Sequence, residues 1–191
     1  MSSAHTSLGL PQFAYTKGLH DLGNGGYAYL QPDGGWGWSN AGLIVDGDEA
    51  LLVDTLFDVP LTREMLDAMR AAEPKAANNI HTLVNTHHNG DHCNGNECCE
   101  GAEIIAHKLA AEAMLKEPPT LLAGFLDMAP DLGDLGDFIT KSFGAFDFKG
   151  VTQTLPRDTP SCGRVLCKTG LTPATPSWPW MWRQWFRATA P

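Results

Sequence analysis

The chain has 191 residues, of which 43% are hydrophobic, and a formal net charge of −9. This length and composition are sufficient for one packed domain, and the negative charge argues against non-specific binding to nucleic acid or to anionic membranes, because like charges repel. The first residues show no basic segment followed by an apolar run, and no stretch reaches the roughly 18 apolar residues of a membrane span, so we expect a cytoplasmic protein.

Short apolar segments separated by turn residues predict strands in the first third of the chain. Residues 27–30 alternate around aromatic side chains, and residues 41–45 and 50–53 are apolar runs. The connection between those two runs is Asp-Gly-Asp-Glu, which is typical of a β-hairpin turn. Three consecutive strands are therefore predicted.

A helix is predicted next, because apolar residues recur at helical spacing after Pro60 and the pattern stops at Pro74. Residues 80–86 and 102–107 are again short apolar runs and are predicted as strands. Residues 108–117 are rich in helix formers, and residues 120–128 predict one more helix. The alternation of strands and helices indicates a layered α/β fold.

The His-rich segment Thr-His-His-Asn-Gly-Asp-His, at residues 86–92, is the strongest functional signal in the sequence. Neutral imidazole and carboxylate are common ligands of zinc and similar metals. A solvated loop is the alternative interpretation. The position of three histidines and an aspartate directly after a buried strand favours a metal site, whereas the isolated histidines His5, His20 and His81 do not.

Two segments resemble motifs of the metallo-β-lactamase-fold superfamily. Residues 83–96 are similar to its His-x-His-x-Asp-His motif at the end of a strand, and residues 51–55 resemble the strand that ends in the aspartate of its first motif. The resemblance covers about residues 25–150. It implies an α/β fold of the αβ/βα sandwich type, of which this chain would hold the first half, at residues 20–155, followed by a divergent tail at residues 156–191.

The resemblance also implies a site and a reaction. His87 would bind a first metal, Asp91 and His92 would serve a second, and Asp54 would orient the site from behind the ligands. The cofactor would be zinc, as one or two ions, or another divalent metal, which activates a water molecule. Asp91 would orient that water or accept its proton.

The sequence departs from the family motif at Asn89, which stands where the second histidine of the motif would be. An amide oxygen is a much weaker zinc ligand than imidazole, so the first metal site should be weakened and completed by water or by Asn89. His88 is one position off and should point elsewhere. His107, the last histidine of the chain, is expected to be structural, so the family's downstream ligands have no counterpart here.

The tail differs in character from the rest of the chain, with four of the six tryptophans between residues 178 and 185 and no acidic residue after Asp158. It is interpreted either as an out-of-frame or alternatively ended translation, or as a genuine short variant with a novel tail. With only half of a sandwich, one sheet face would stay apolar and open. We expect the tail or a second chain, as in a homodimer, to cover it.

Three hypotheses follow. The first is a metal-dependent hydrolase that acts on an ester, thioester, amide or related bond of a small molecule. The second is an inactive pseudo-hydrolase that serves as a binding or dimerising module. The third, a structural zinc module using Cys93, Cys98 or Cys99 beside His92, is disfavoured because the sequence lacks a Cys-x2-Cys pair there.

Overall fold

A computed structural model describes residues 16–32 and 35–156 of the chain. Almost all of the Trp-rich tail, including Trp178 to Trp185, lies outside these residues, and so do His5, Cys162 and Cys167. The predicted boundary between a domain at 20–155 and a tail at 156–191 therefore stays a prediction.

One six-stranded sheet forms the centre of the described region, with its strands in sequence order. The strands are β1 (Gly18–Gly23), β2 (Gly26–Leu30), β3 (Ala41–Asp46), β4 (Glu49–Val53), β5 (Ile80–Asn85) and β6 (Glu103–Ala106). Neighbouring strands are antiparallel from β1 to β4 and parallel from β4 to β6. The predicted hairpin between β3 and β4 is confirmed.

A row of apolar side chains crosses the sheet and forms its buried face. Leu43 pairs with Leu52, Leu52 with Leu83 and Leu83 with Ile104 in the strand registers. The three leucines are fully buried. Each contributes about 1.5–3 kcal/mol through removal of its side chain from water, so this row sets the register between β4 and β5.

Helix α1 (Val59–Ala72), which connects β4 to β5 in the chain, packs on this face of the sheet. Met65, Leu66 and Met69, three of the residues that predicted the helix, are buried against the sheet. Asp58 caps the helix, since its carboxylate accepts a hydrogen bond of 2.8 Å from the amide of Leu61. The parallel β4–α1–β5 unit confirms the predicted α/β fold.

The other face of the sheet is less covered by the described residues. Ile44, Leu51, Val53, Val84 and Ile105 alternate with the buried row and remain partly exposed to solvent. Strands of this kind bury one set of alternating side chains and leave the other set accessible. Whether the tail or a second chain covers this face, as expected from the sequence, stays a prediction, because almost all of the tail lies outside the described residues.

A second, smaller core lies beside α1. The rings of Phe146 and Phe148 each lie 4.8 Å from that of Phe57, and Ala123 is buried with them. The remaining helices are α2 (Gly90–Cys93), α3 (Lys108–Met114), α4 (Pro119–Met128) and α5 (Asp134–Phe143). The cluster of Phe57, Phe146, Phe148 and Ala123 packs α4 against the start of α1.

Strand β1 and the helices α2 and α5 were not predicted, and α2 lies where a loop was expected. Strand β1 forms a hairpin with β2 through Asn24 and Gly25, both with positive φ, and Asn-Gly is the strongest short signal for that turn. Helix α5 contains Gly136, which obscures its pattern. A Cβ there would lie 1.8 Å from the carbonyl oxygen of Ala129, so the close helix contact requires glycine.

The helix predicted at residues 108–117 is wrong in length, because it ends at Met114. Residues 115–117 form a turn before Pro118 and Pro119. Steric contact with Pro118 keeps Glu117 out of the helical region, so the helix could not have continued to residue 117. Within the described part of the chain, no helix has both the length and the apolar character that a bilayer crossing requires.

Candidate metal centre

The parallel strands β4 and β5 end side by side, and polar residues follow both of them. Asp54 comes directly after β4, and Thr86 comes directly after β5. The amide of Asp54 donates to the carbonyl oxygen of Val84 at 2.9 Å, and the amide of Thr86 donates to Oδ1 of Asp54 at 2.7 Å. The carboxyl ends of parallel strands are a common location for ligand sites.

Asp54 adopts a strained backbone conformation. Its φ is 61°, whereas such left-handed values are otherwise common only for glycine and, to a lesser degree, asparagine and aspartate. The side chain is nearly fully buried at 4% exposure. Strain of this kind costs on the order of 1–3 kcal/mol and persists where the surrounding contacts hold it, so the turn fixes the direction of the carboxylate.

The His-rich segment then forms a short turn of helix, α2, with Asn89 as its N-cap residue. The backbone of Gly90 does not need the freedom of glycine, because its φ is not among the positive values. A Cβ at Gly90 would instead lie 2.7 Å from Nδ2 of Asn94 and 2.9 Å from the ring of Phe57. Close packing therefore explains the glycine.

A buried amide pair holds the end of this turn. Asn85 and Asn96 exchange two side-chain hydrogen bonds of 2.9 and 3.1 Å. Asn85 Nδ2 also donates to the carbonyl oxygen of His92 at 2.9 Å, and the amide of Thr55 donates to the same oxygen at 3.0 Å. These donors fix the backbone of His92 relative to β4 and β5. Neither asparagine was predicted as part of the site, although a polar residue at the end of an apolar strand, such as Asn85, is a usable signal.

One imidazole of the site contacts the carboxylate of Asp54 directly, and the other is connected to it through the hydroxyl of Thr86. Nδ1 of His92 lies 3.0 Å from Oδ2 of Asp54, and the hydroxyl of Thr86 donates to that oxygen at 2.5 Å. Nδ1 of His87 lies 2.8 Å from the Thr86 hydroxyl. A carboxylate only accepts hydrogen bonds, so His92 donates from Nδ1 and leaves the lone pair of Nε2 free.

The charge of the site acts on His92. Burial disfavours its charged form, but the hydrogen bond to Asp54 and the negative charges of Asp54 and Asp91 outweigh burial, so the pKa of His92 is raised. A metal ion therefore competes with a proton at this imidazole.

The donor atoms lie close enough to hold one cation. Ligand atoms of Asp54, His87 and His92 are within 4.8 Å of one another. The rings of His87 and His92 stack with centroids 4.5 Å apart, and Oδ2 of Asp91 lies 3.6 Å from Nε2 of His92. Two imidazoles and nearby carboxylates are a donor set that suits zinc, so the residues fit a metal.

The other candidate residues lie around this group. Asn89 is exposed and its side chain makes no capping hydrogen bond, while its carbonyl oxygen accepts from the amide of His92. His88 points away, as predicted, and its Nε2 lies 3.6 Å from the carboxylate of Glu117. His107 has the predicted structural role, because its ring accepts from the amide of Leu109 and caps α3.

The cysteines do not join the histidines. Sγ of Cys93 donates to the carbonyl oxygens of His88 and Asn89, both at 3.3 Å. Burial, followed by the charges of Asp54 and Asp91, raises the pKa of Cys93 to about 12. The group of described residues that could hold a cation contains no cysteine, so the structural zinc module gains no support in the described region. Cys98 and Cys99 are free thiols, partly buried and buried, respectively.

The aromatic residues before β3 mainly pack. The ring of Trp38 lies 5.0 Å from that of Phe146, and the exposed Trp36 contacts Phe138 and Phe143 edge-on. Trp38 also lines a cavity of about 220 Å³ with Lys17, Gln31 and Pro32. The next residue, Ser39, donates to the carbonyl oxygen of Asp91, which connects this segment to the turn of the site.

Comparison with known proteins gives one family match. The model of the metallo-beta-lactamase superfamily matches residues 34–168, which is more than half of the chain. A comparison with curated protein sequences finds no match.

Several solved structures are similar. A metallo-beta-lactamase from Erythrobacter litoralis is 26% identical, with a TM-score of 0.43, over 52% of this chain and 45% of that protein. One from Hirschia baltica is 24% identical, with a TM-score of 0.44, over 52% and 47%. One from Pseudomonas aeruginosa, solved in its mono-zinc form, is 21% identical, with a TM-score of 0.41, over the same shares. The chain thus spans about half the length of these proteins.

Proposed function

Because this chain belongs to the metallo-beta-lactamase superfamily, we propose that it is a metal-dependent hydrolase whose site lies at the ends of β4 and β5. The observation that carries the proposal is the hydrogen-bonded connection of the Asp54 carboxylate to both imidazoles. Asp54 contacts His92 directly and His87 through Thr86. Hydrogen bonds at Nδ1 direct the free Nε2 atoms of such rings towards a metal.

We assign the ligands as His87 and His92 through Nε2, together with the carboxylate of Asp91. Asp54 supports this set and does not belong to it, because its two oxygens already accept from the amide and hydroxyl of Thr86 and from His92. The amide oxygen of Asn89, on the same turn, is proposed as a further weak ligand. The proposed cofactor is zinc or another divalent cation.

A bound divalent cation lowers the pKa of a water molecule towards 7 and so supplies a nucleophile at neutral pH. The residues of the chain orient the site and move the proton. Asp91, 3.6 Å from Nε2 of His92, is proposed to accept the proton of that water as general base. The buried Asn85–Asn96 pair keeps the backbone of His92 from shifting, which preserves the geometry during turnover.

The proposed substrate is a small molecule with an ester, thioester, amide or related bond. Polyanions such as nucleic acids are disfavoured by the net charge of −9. The segment of Trp38 and Ser39, which contacts the turn of the site through the carbonyl oxygen of Asp91, is proposed to lie beside the substrate.

Metal content of the purified protein tests the proposal. We expect about one equivalent of divalent metal by inductively coupled plasma mass spectrometry, and a loss of most of it in His92→Ala. His81→Ala is the matched control, since His81 is an exposed histidine on β5 outside the site. Hydrolysis of a chromogenic ester and a thioester should then disappear with a chelator and return with zinc. Wild-type protein without metal above background would rule the proposal out.

A second candidate function is a metal-binding module without turnover that pairs with another protein or with itself. Two observations favour it. Asn89 stands where the family motif has its second histidine, and an amide is a weaker zinc ligand than imidazole. In addition, one face of the sheet carries partly exposed apolar side chains. Stoichiometric metal without hydrolysis of any ester, thioester or amide tested would support this function. Analytical ultracentrifugation would then show whether the module forms a homodimer.

A further inference from the structure

Thr86 is the residue through which the buried carboxylate of the site reaches His87. Its hydroxyl donates to Oδ2 of Asp54 at 2.5 Å and lies 2.8 Å from Nδ1 of His87, while its amide donates to Oδ1 of Asp54 at 2.7 Å. The side chain of Thr86 is thus placed between the aspartate and the imidazole. Thr86 itself contributes no atom of the proposed ligand set.

The number of protons available for these hydrogen bonds determines the tautomer of His87. A hydroxyl carries one proton, and here it is donated to Asp54, because a carboxylate has none to give. The short contact between the Thr86 oxygen and Nδ1 of His87 therefore requires that Nδ1 carries a proton. In a neutral imidazole the lone pair is then on Nε2.

We propose that Thr86 is a positioning residue for His87, holding its neutral imidazole as the Nδ1–H tautomer with Nε2 free to bind. What Nε2 binds rests on the proposed function, in which it is a divalent cation. The orientation and the tautomer of the His87 ring depend only on contacts within the chain, so they can be tested without a metal.

The two histidines should respond differently to the loss of the Thr86 hydroxyl, because only His92 contacts Asp54 directly. His92 reaches Oδ2 of Asp54 directly at 3.0 Å, whereas His87 has the Thr86 hydroxyl in between. Loss of that hydroxyl should therefore release His87 and leave the tautomer of His92 in place. A general loosening of the site would change both rings.

Three variants test this assignment. Thr86→Val removes the hydroxyl and keeps the branched shape and the backbone amide. Thr86→Ser restores a hydroxyl at the same atom. Thr82→Val is the control: Thr82 lies on β5, four residues before Thr86, and the substitution makes the same chemical change outside the site. Thermal unfolding followed by circular dichroism confirms that each variant is folded.

The first readout is the ring tautomer in the metal-free protein. Long-range nitrogen–proton correlation spectra, recorded at an alkaline pH beyond which they no longer change, should show Nδ1–H without Nε2–H for His87 and His92 in wild type, Thr86→Ser and Thr82→Val. In Thr86→Val, His87 should become a mixture of tautomers while His92 stays unchanged. An Nε2–H His87 in wild type, or an unchanged His87 in Thr86→Val, would overturn the inference.

The second readout is zinc affinity, measured by competition with a chromophoric chelator. Removal of a partner behind a metal ligand weakens binding by about 10–100-fold, so we expect at least a tenfold loss in Thr86→Val and near wild-type affinity in Thr86→Ser and Thr82→Val. Equal affinity of Thr86→Val and wild type would overturn the positioning of His87 for metal. If wild type shows the expected tautomers but binds no zinc, the hydrolase proposal fails and the hold of Thr86 on His87 stands.

Discussion

Oδ2 of Asp54 lies 3.0 Å from Nδ1 of His92, although the two residues are 38 positions apart in the chain. Asp54 is held by its backbone turn at the end of β4, and His92 is held by the donors to its carbonyl oxygen. The contact joins the two parts of the site and leaves Nε2 of His92 free. A carboxylate behind an imidazole is the usual means of orienting a metal-binding histidine.

The change Asp54→Asn should weaken zinc binding by about 10–100-fold. The amide keeps the size of the side chain but removes the charge and replaces one acceptor by a donor. The three donors from Thr86 and His92 then face a poorer acceptor. Chelator competition measures the change. Asp48→Asn, at an exposed residue whose carboxylate lies 3.6 Å from Lys75, is the control, and an equal affinity of both variants would contradict the role of Asp54.

The thiol of Cys99 should be unreactive in the folded protein. Burial, followed by the neighbouring Cys98, raises the pKa of Cys99 to about 12, although Arg70 opposes this. An unfolded cysteine ionises near pH 8.5. At pH of about 8.5, iodoacetamide should therefore modify Cys99 at least tenfold more slowly in the folded than in the denatured protein, because the thiolate is the reactive form. Peptide mass spectrometry measures the modification at each cysteine.

The same shift predicts the sign of a pH effect on stability. Above pH of about 8.5 the unfolded chain loses the Cys99 proton and the folded chain retains it, so the free energy of unfolding falls as the pH rises. Cys99→Ala should make this fall shallower between pH of about 8.5 and 10. A parallel pH dependence of wild type and variant in urea unfolding would count against the assignment of the shift to Cys99.

Two glycine substitutions should have opposite effects on stability. A Cβ at Gly95 would lie 1.9 Å from Oγ1 of Thr62, so Gly95→Ala forces the loop away from α1 and should cost about 1–3 kcal/mol. Gly124, inside α4, has no atom within 4 Å of such a Cβ. Gly124→Ala should stabilise by about 0.5–1 kcal/mol through helix propensity. Urea unfolding of both variants checks the signs, and a neutral Gly95→Ala would show that this contact is not tight.

Asp58→Ala should destabilise the protein by about 2–3 kcal/mol. The buried carboxylate accepts from the amide of Leu61 at the start of α1 and from the amide of Asp147 at 3.0 Å. Its removal leaves both donors without this partner. Asp67→Ala, at an exposed position on the same helix, should change stability by less than about 0.5 kcal/mol. Denaturant unfolding distinguishes the two, and a similar effect in both would argue against the capping role.

The sequence alone was sufficient for most elements of the α/β fold and for the location of the candidate site. The spacing of Met65, Leu66 and Met69 predicts α1, because it reflects the helical period of 3.6 residues. The short apolar run before residue 86 predicts β5, because a buried strand needs only a few consecutive apolar residues. The His-rich segment identifies a metal-site candidate for the same local reason, since its donors are neighbours in the chain.

Only the tertiary structure decided which atoms of the candidate site meet. The roles of Thr86, Asn85 and Asn96 were not foreseen, and neither was the route from Asp54 to His87. These contacts depend on the register of β4 against β5, which places Val53 beside Val84 and so brings Asp54 to Thr86. That register follows from packing of the leucine row under α1, and packing between distant segments leaves no periodic trace in the sequence.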